Sequence, residues 1–310
     1  MRQPRPSPRR LFSAVGLFFL APLVGEFLLG NLPITWLWVL PVLALLYGGG
    51  ALLIREVARR WGLGWAGLAS LGLAYGVIEE AFVTQSLFNP DYLGLRLLDF
   101  GYLPAPGIGA WWTVYVLGLH AVWSTAVPIA LVEAVTPAAR RAPWLGRFGL
   151  GLTATLFATG CLAVAHAQPA AATHASAGQH LGSAIAVAAL VLLGFVLGRR
   201  SPPPTDGETA GRSAPPPLVV GATAFACGSA FMAIAAIVQT PSVGHVSPQV
   251  DLLGNAVLTA ASLALLVTAT ARVAREPGAG SSWEERPLRR REPSARKRRP
   301  QPAYSVCRSI

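Results

Sequence analysis

Hydrophobic residues fall into long blocks along this chain, separated by short polar segments or by segments rich in Pro and Gly. Each block is close to the ~20 residues that a helix needs to cross the ~30 Å hydrocarbon core of a bilayer. The pattern predicts an all-α, polytopic integral membrane protein. Its eight predicted transmembrane helices span residues 11–30, 34–54, 64–86, 110–133, 148–167, 181–198, 217–240 and 253–271.

The positions of the basic residues predict an orientation. If the N-terminus lies in the cytoplasm, all of the 25 Lys and Arg residues except Arg96 fall on the cytoplasmic side. Basic residues are retained on that side of the membrane during insertion. Both termini are therefore predicted to be cytoplasmic. The chain then divides into a basic cytoplasmic arm at 1–10, an eight-helix membrane domain at 11–273 and a disordered basic tail at 274–310.

Composition decides which partners to expect. The 310 residues are 53% apolar and 13% charged, a balance that excludes an ordinary soluble domain and makes the lipid bilayer the first partner. The net charge of +11 is concentrated in the tail, at 286–300. Behind a transmembrane helix, such a stretch is expected to lie against anionic lipid headgroups, and no nucleic acid is predicted. Arg outnumbers Lys strongly, which favours a multi-pass protein of a bacterial plasma membrane.

Ionisable residues inside the predicted spans give the first indication of function. Glu79 and Glu80 are adjacent in the third span, and His120 lies in the fourth. An ionisable side chain at the bilayer centre costs ~2.5–3.5 kcal/mol on insertion scales, so it is normally tied to function. A rise of ~1.5 Å per residue places Glu80 roughly 10 Å, His120 roughly 15 Å and Glu26 roughly 7 Å below the outer boundary. These groups are therefore expected to meet in the outer half of the membrane. The small residues Gly72, Gly76 and Ala81 are predicted to let the third and fourth spans approach closely.

Helical geometry predicts different roles for the two acids. Neighbouring side chains on a helix differ by ~100°, so Glu79 and Glu80 are not expected to point at one partner in the same way. One would serve as a general base towards a cleft, and the other would accept hydrogen bonds from a neighbouring helix. His120, with Ser124 one turn further on, would stabilise an oxyanion or share the proton. Two alternatives stay open: a proton-coupled transporter or channel that uses the same acids as a relay, and a non-catalytic membrane scaffold or partner protein.

The same residues resemble a known family. Glu79-Glu80 resemble the paired acids, and His120 resembles the first histidine, of the CAAX-protease and bacteriocin-processing (CPBP) family of glutamate-type intramembrane proteases. The resemblance is distant and covers about residues 64–135. It implies an intramembrane endopeptidase, a hydrolase in which a glutamate activates water to attack a peptide bond of a membrane-embedded peptide or protein. In the family, histidine and asparagine stabilise the oxyanion.

The chain also departs from the motifs of that family. Thr84, followed by Gln85, stands at the family's arginine position, and Val116 stands at its phenylalanine position. The later spans contain no His-x-x-x-Asn motif. Arg96 is predicted to form an exposed pair with Asp99, and in an alternative it would supply the positive charge that Thr84 lacks. Gln85 and Arg96 are thus, with Glu26 and Ser124, supporting candidates for the site.

The remaining features are predicted to be structural. Glu133 is expected at a membrane boundary, and the cluster formed by Arg55, Glu56, Arg59 and Arg60 is expected to be solvated. Residues 93–100 are predicted to form a short helix in the interface, and the last four spans a packing scaffold. The other histidines do not have the spacing of metal ligands, so neither a cofactor nor a metal is predicted.

Overall fold

The computed structural model describes residues 8–136, 142–168, 175–200 and 217–239. The first six helices of this part are long and apolar enough to cross a membrane. The eighth predicted span, the tail 274–310 and residues 1–7 lie outside the described residues, so eight helices and two cytoplasmic termini stay predictions. The helices are α1 (Pro8–Leu28), α2 (Ile34–Arg60), α3 (Trp65–Val83), α4 (Ala110–Val135), α5 (Arg147–Ala167), α6 (Ala177–Arg200) and α7 (Pro217–Gln239).

Helix α3 is the centre of the described bundle. Its most apolar window is 72% buried, whereas the corresponding windows of α5 and α6 are 11% and 17% buried. The predicted contact between the third and fourth spans through small residues is confirmed. A Cβ atom on Gly72 would lie 2.7 Å from Thr125 Oγ1 on α4, and one on Gly76 would lie 3.1 Å from the Cβ of His120. Two glycines of α3 therefore let α4 approach closely enough to bring His120 towards the acids.

The cluster at the predicted cytoplasmic ends of α2 and α4 is not solvated, contrary to the expectation. Arg55 and Glu56 are both 0% exposed. Arg55 forms ion pairs with Glu56 at 2.8 Å and with Glu133 at 3.0 Å. Arg59 forms a bidentate ion pair with Glu133, with N–O distances of 2.8 and 2.6 Å. Glu133 is accordingly a buried member of an ion network that joins α2 to α4.

The segment before α5 covers the most deeply buried part of this network, Arg55 and Glu56. The indole ring of Trp144 stacks on the Arg55 guanidinium, and its centroid lies 3.5 Å from Arg55 Cζ. Glu56 accepts hydrogen bonds from the backbone N–H groups of Trp144, at 2.7 Å, and of Leu145, at 3.2 Å. Buried charges persist only when they are paired and hydrogen-bonded, as they are here. Hydropathy along the chain does not reveal that a remote segment will fold back over charged residues.

The predicted helix at 93–100 is wrong. Tyr92–Gly94 forms a single 3₁₀ turn, and a short hairpin follows, with β1 (Tyr102–Leu103) antiparallel to β2 (Ile108–Gly109). Leu93 and Arg96 adopt left-handed φ values of 53° and 47°, which a continuous helix does not allow. Such values are uncommon for residues other than glycine, so the tertiary fold must hold this segment in place.

Candidate functional site

Short π-helical segments distinguish the site from the rest of the bundle. Four such segments occur within the described residues, each in a different helix from α1 to α4. A π-helical turn contains one residue more than an α-helical turn, and it recurs at functional sites. The four segments hold the polar groups of the site: Leu23–Leu28 holds Glu26, Ala44–Gly48 holds Tyr47, Glu79–Val83 holds both acids, and His120–Ala126 holds His120 and Ser124.

Both oxygens of Glu80 accept hydrogen bonds, three in all within the described residues. Its Oε1 lies 2.7 Å from His120 Nε2, and its Oε2 accepts a hydrogen bond from Thr84 at 2.9 Å and another from Ser86. Ser86 Oγ in turn accepts a hydrogen bond from the indole of Trp112 at 3.0 Å. Thr84 thus supplies a neutral donor to Glu80. These bonds fix Glu80, and through it they fix the orientation of the imidazole.

Glu79 approaches the other nitrogen of the same imidazole. Its Oε2 lies 3.3 Å from His120 Nδ1, which also lies 3.2 Å from Ser124 Oγ. The two acids thus reach one partner in different ways, at its two nitrogens. An imidazole presents its two nitrogens in different directions, so two side chains that diverge on one helix can reach it from two sides. All three side chains are buried: Glu79 is 2% exposed, Glu80 is 6% exposed and His120 is 5% exposed.

Two oxygens of the site have unused hydrogen-bonding capacity. Glu79 Oε2 and Tyr75 Oη are buried and lack a hydrogen-bond partner within the described part of the chain. In the neutral tautomer that donates from Nε2 to Glu80, His120 Nδ1 accepts a hydrogen bond from Ser124 and has no proton for Glu79. A buried polar atom without a partner costs about 1–3 kcal/mol. The two oxygens lie near each other, and each retains the capacity for a further hydrogen bond.

Glu26 lies at the edge of the site and reaches it through Tyr47. The Tyr47 hydroxyl donates a hydrogen bond to Glu26 Oε1, and the Tyr47 ring lies 6.0 Å from that of His120. Gly25, the neighbour of Glu26, packs against Ser124, since a Cβ atom there would lie 3.0 Å from the hydroxyl oxygen. Glu26 and Ser124, both predicted to support the site, are thus brought to it.

The other two supporting candidates lie elsewhere. Gln85 has a left-handed φ of 57°, and its Oε1 accepts a hydrogen bond from the backbone N–H of Ala175 at 3.1 Å. Arg96 forms a surface pair with Asp99 at 2.7 Å, and its side chain is 74% exposed. The hydrogen bond to Asp99 raises the pKa of Arg96. This is the exposed pair that the sequence predicts, and the alternative in which Arg96 supplies charge to the acids is wrong.

The sequence pattern does not identify several residues of the site. Tyr47, Tyr75, Ser86 and Trp112 all lie in apolar stretches or at their ends, where each passes for a packing residue. One signal was present for Tyr75, which precedes Glu79 by four positions and so shares its helix face. Ser86 and Trp112 are far apart in sequence, and nothing local predicts their contact.

The site also has the composition of a divalent metal site. One ligand atom each from Glu79, Glu80 and His120 lies within 4.8 Å of the others. Carboxylate and imidazole groups together suit several transition metals. A cation bound by all three would have to replace the 2.7 Å hydrogen bond between Glu80 and His120. The expected absence of a metal stays a prediction.

Comparison with known proteins supports the membrane assignment. A family model described as an uncharacterized membrane protein family matches residues 16–281. The chain belongs to this family. It is an integral membrane protein, and the matched range includes the four π-helical segments of the site. No curated protein and no solved structure matches the chain.

Proposed function

We propose that the protein is an intramembrane hydrolase of the glutamate type, with Glu79 as the general base. The unused Oε2 of Glu79, beside an imidazole that Glu80 holds in place, is the observation that carries the proposal. A general base needs a free lone pair within reach of water. Among the described residues, Glu79 Oε2 makes no ordinary hydrogen bond, whereas both oxygens of Glu80 already accept hydrogen bonds. The distant resemblance to CPBP proteases, through Glu79-Glu80 and His120, agrees with these roles.

The reaction is the hydrolysis of a peptide bond. Glu79 removes a proton from water, and the water oxygen attacks the carbonyl carbon to form a tetrahedral intermediate. The C–N bond then breaks as the nitrogen takes up the proton from Glu79, which leaves a carboxylic acid and an amine. His120 stands beside Glu79 and orients the water, while Glu80, Thr84 and Ser86 keep the imidazole in one orientation.

The surroundings of the site suit a substrate that enters from the lipid. The acids, His120 and Tyr47 come from the first four helices, and the most apolar window of α5 is only 11% buried. Helix α5 reaches the site through Phe157, whose ring lies 6.0 Å from that of Tyr75. The substrate class is therefore a membrane-embedded peptide or protein segment.

A proton relay is the second candidate, and one observation favours it. The Tyr47 hydroxyl connects a third acid, Glu26, to the neighbourhood of His120. Hydrogen-bonded acids, tyrosines and histidines are the groups from which membrane proteins build proton pathways. A non-catalytic scaffold remains the third candidate, since hydrogen bonds between helices at this site also hold α3 against α4.

The three candidates give different results with Glu79→Gln, which is nearly isosteric. New protein N-termini would be quantified in membranes from cells that express the wild type or this variant, and proton flux would be measured in liposomes. The hydrolase predicts membrane-protein N-termini that disappear in Glu79→Gln, without proton flux in either protein. Proton flux that requires Glu79 would support the relay. An unchanged set of N-termini, with the variant folded, would refute the hydrolase.

A further inference from the structure

We infer that Tyr75 is a further catalytic residue, whose hydroxyl donates a hydrogen bond to the carbonyl oxygen of the scissile bond as it becomes an oxyanion. The inference rests on the proposed hydrolase and identifies the oxyanion donor in it. The later spans lack the His-x-x-x-Asn motif that supplies this donor in the CPBP family. A donor from another position is therefore required for the same chemistry.

The Tyr75 hydroxyl is buried and makes no hydrogen bond of ordinary geometry among the described residues, although it lies near the Glu79 carboxylate and interacts with it. Tyr75 is 3% exposed. Phenylalanine would fill the same space without burying a hydroxyl, so packing alone gives no reason for tyrosine at this position. A substrate oxygen that accepts a hydrogen bond from this hydroxyl would remove the free-energy cost of burying it, and it would do so as the transition state forms.

The ring of Tyr75 is held firmly on several sides. It meets the ring of His120 edge-on at 5.6 Å between centroids, and it also contacts Tyr47 at 6.4 Å and Phe157 at 6.0 Å. Gly50 on α2 makes room for it, because a Cβ atom there would lie 2.4 Å from a ring carbon. A donor fixed in advance needs no reorganisation during the reaction, which is the property that makes such donors effective.

Tyr75 and Glu79 are placed to act on one substrate group. They are four positions apart on α3, so both project from the same face, and the Tyr75 hydroxyl lies close enough to the Glu79 carboxylate for a weak hydrogen-bonding interaction. A carbonyl group placed between them would direct its oxygen to the Tyr75 hydroxyl and its carbon to the water held by Glu79. The proton transfers are those of the proposed reaction, and Tyr75 keeps its own proton throughout.

The variant Tyr75→Phe tests this inference. Its matched control is Tyr115→Phe on α4. This variant removes a hydroxyl that donates a weak hydrogen bond to Met232 Sδ at 3.8 Å. The rate at which the Glu79-dependent N-termini form in cells would be compared for the wild type, both variants and Glu79→Gln. Loss of one oxyanion donor is expected to slow cleavage ~10²–10³-fold. The control is expected to cleave at the wild-type rate.

Melting temperature in detergent separates catalysis from folding. Tyr75→Phe is expected to melt at the wild-type temperature or above it, because it removes a buried hydroxyl that makes no hydrogen bond of ordinary geometry among the described residues. A lower melting temperature would overturn the inference, since the hydroxyl would then hold the fold. Cleavage that requires Glu79 but proceeds at the wild-type rate in Tyr75→Phe would overturn the inference alone. Cleavage that does not require Glu79 would refute the proposed function itself.

Discussion

Glu133 is the residue whose replacement tests the buried ion network most directly. Its carboxylate accepts a hydrogen bond from Arg55 Nε at 3.0 Å and two hydrogen bonds from Arg59 nitrogens at 2.8 and 2.6 Å. In Glu133→Ala, Arg55 would keep its bond to Glu56 at 2.8 Å. Within the described part of the chain, Arg59 would keep only a long hydrogen bond to the backbone carbonyl of Leu63 at 3.5 Å, and its side chain is 10% exposed. The main penalty is thus an unpaired buried guanidinium.

The size of this penalty follows from the burial. Removal of one partner from a buried ion pair costs about 3–5 kcal/mol, whereas exposed pairs contribute little. Glu133 is 7% exposed, so we expect Glu133→Ala to lower the free energy of unfolding by about 5 kcal/mol. Glu133→Gln keeps one acceptor oxygen, and for it we expect about 3 kcal/mol. Neutralising Arg59 in the same chain should recover about 1–2 kcal/mol, because neighbours are not additive.

Reversible unfolding by SDS in mixed micelles, followed by tryptophan fluorescence, measures these differences. The double-mutant cycle would use Glu133→Gln, Arg59→Gln and both together. Asp99→Asn is the control, since it breaks a surface pair and should leave stability unchanged within error. Additive losses in the cycle, or a loss below about 1 kcal/mol in Glu133→Ala, would show that the network is not a buried, coupled unit.

Three further predictions follow from other contacts and from the topology. Gly48→Ala should prevent accumulation of folded protein in membranes, because its Cβ would lie 1.9 Å from a backbone oxygen of α1, whereas Gly16→Ala, with open space around it, should accumulate normally. Ser86→Ala removes a donor from the acid site and an acceptor from an indole, so thermal unfolding in detergent should show a loss of about 1–3 kcal/mol. A reporter active only in the cytoplasm should be silent when inserted after Ala170 and active after Asp206; the reverse pattern would refute the predicted orientation.

The sequence by itself determined where helices form and which of them meet. Apolar blocks of sufficient length must become helices in a bilayer, because lipid offers no partners for backbone N–H and C=O groups. The first six predicted spans therefore agree closely with α1 to α6. Gly72 and Gly76 predicted the close contact with α4, since small side chains are a local property of a helix face. Depth along the helices then placed Glu79, Glu80 and His120 at similar levels.

Only the tertiary structure decided what those side chains do with one another. The π-helical segments, the shared imidazole and the unsatisfied oxygens of Glu79 and Tyr75 depend on how four helices pack. The burial of Arg55 and Glu56 depends on Trp144, which lies almost 90 positions further along the chain. Hydropathy assigns each polar group a burial cost in isolation. The actual cost of burying the group depends on the hydrogen-bond and ion-pair partners that distant segments supply.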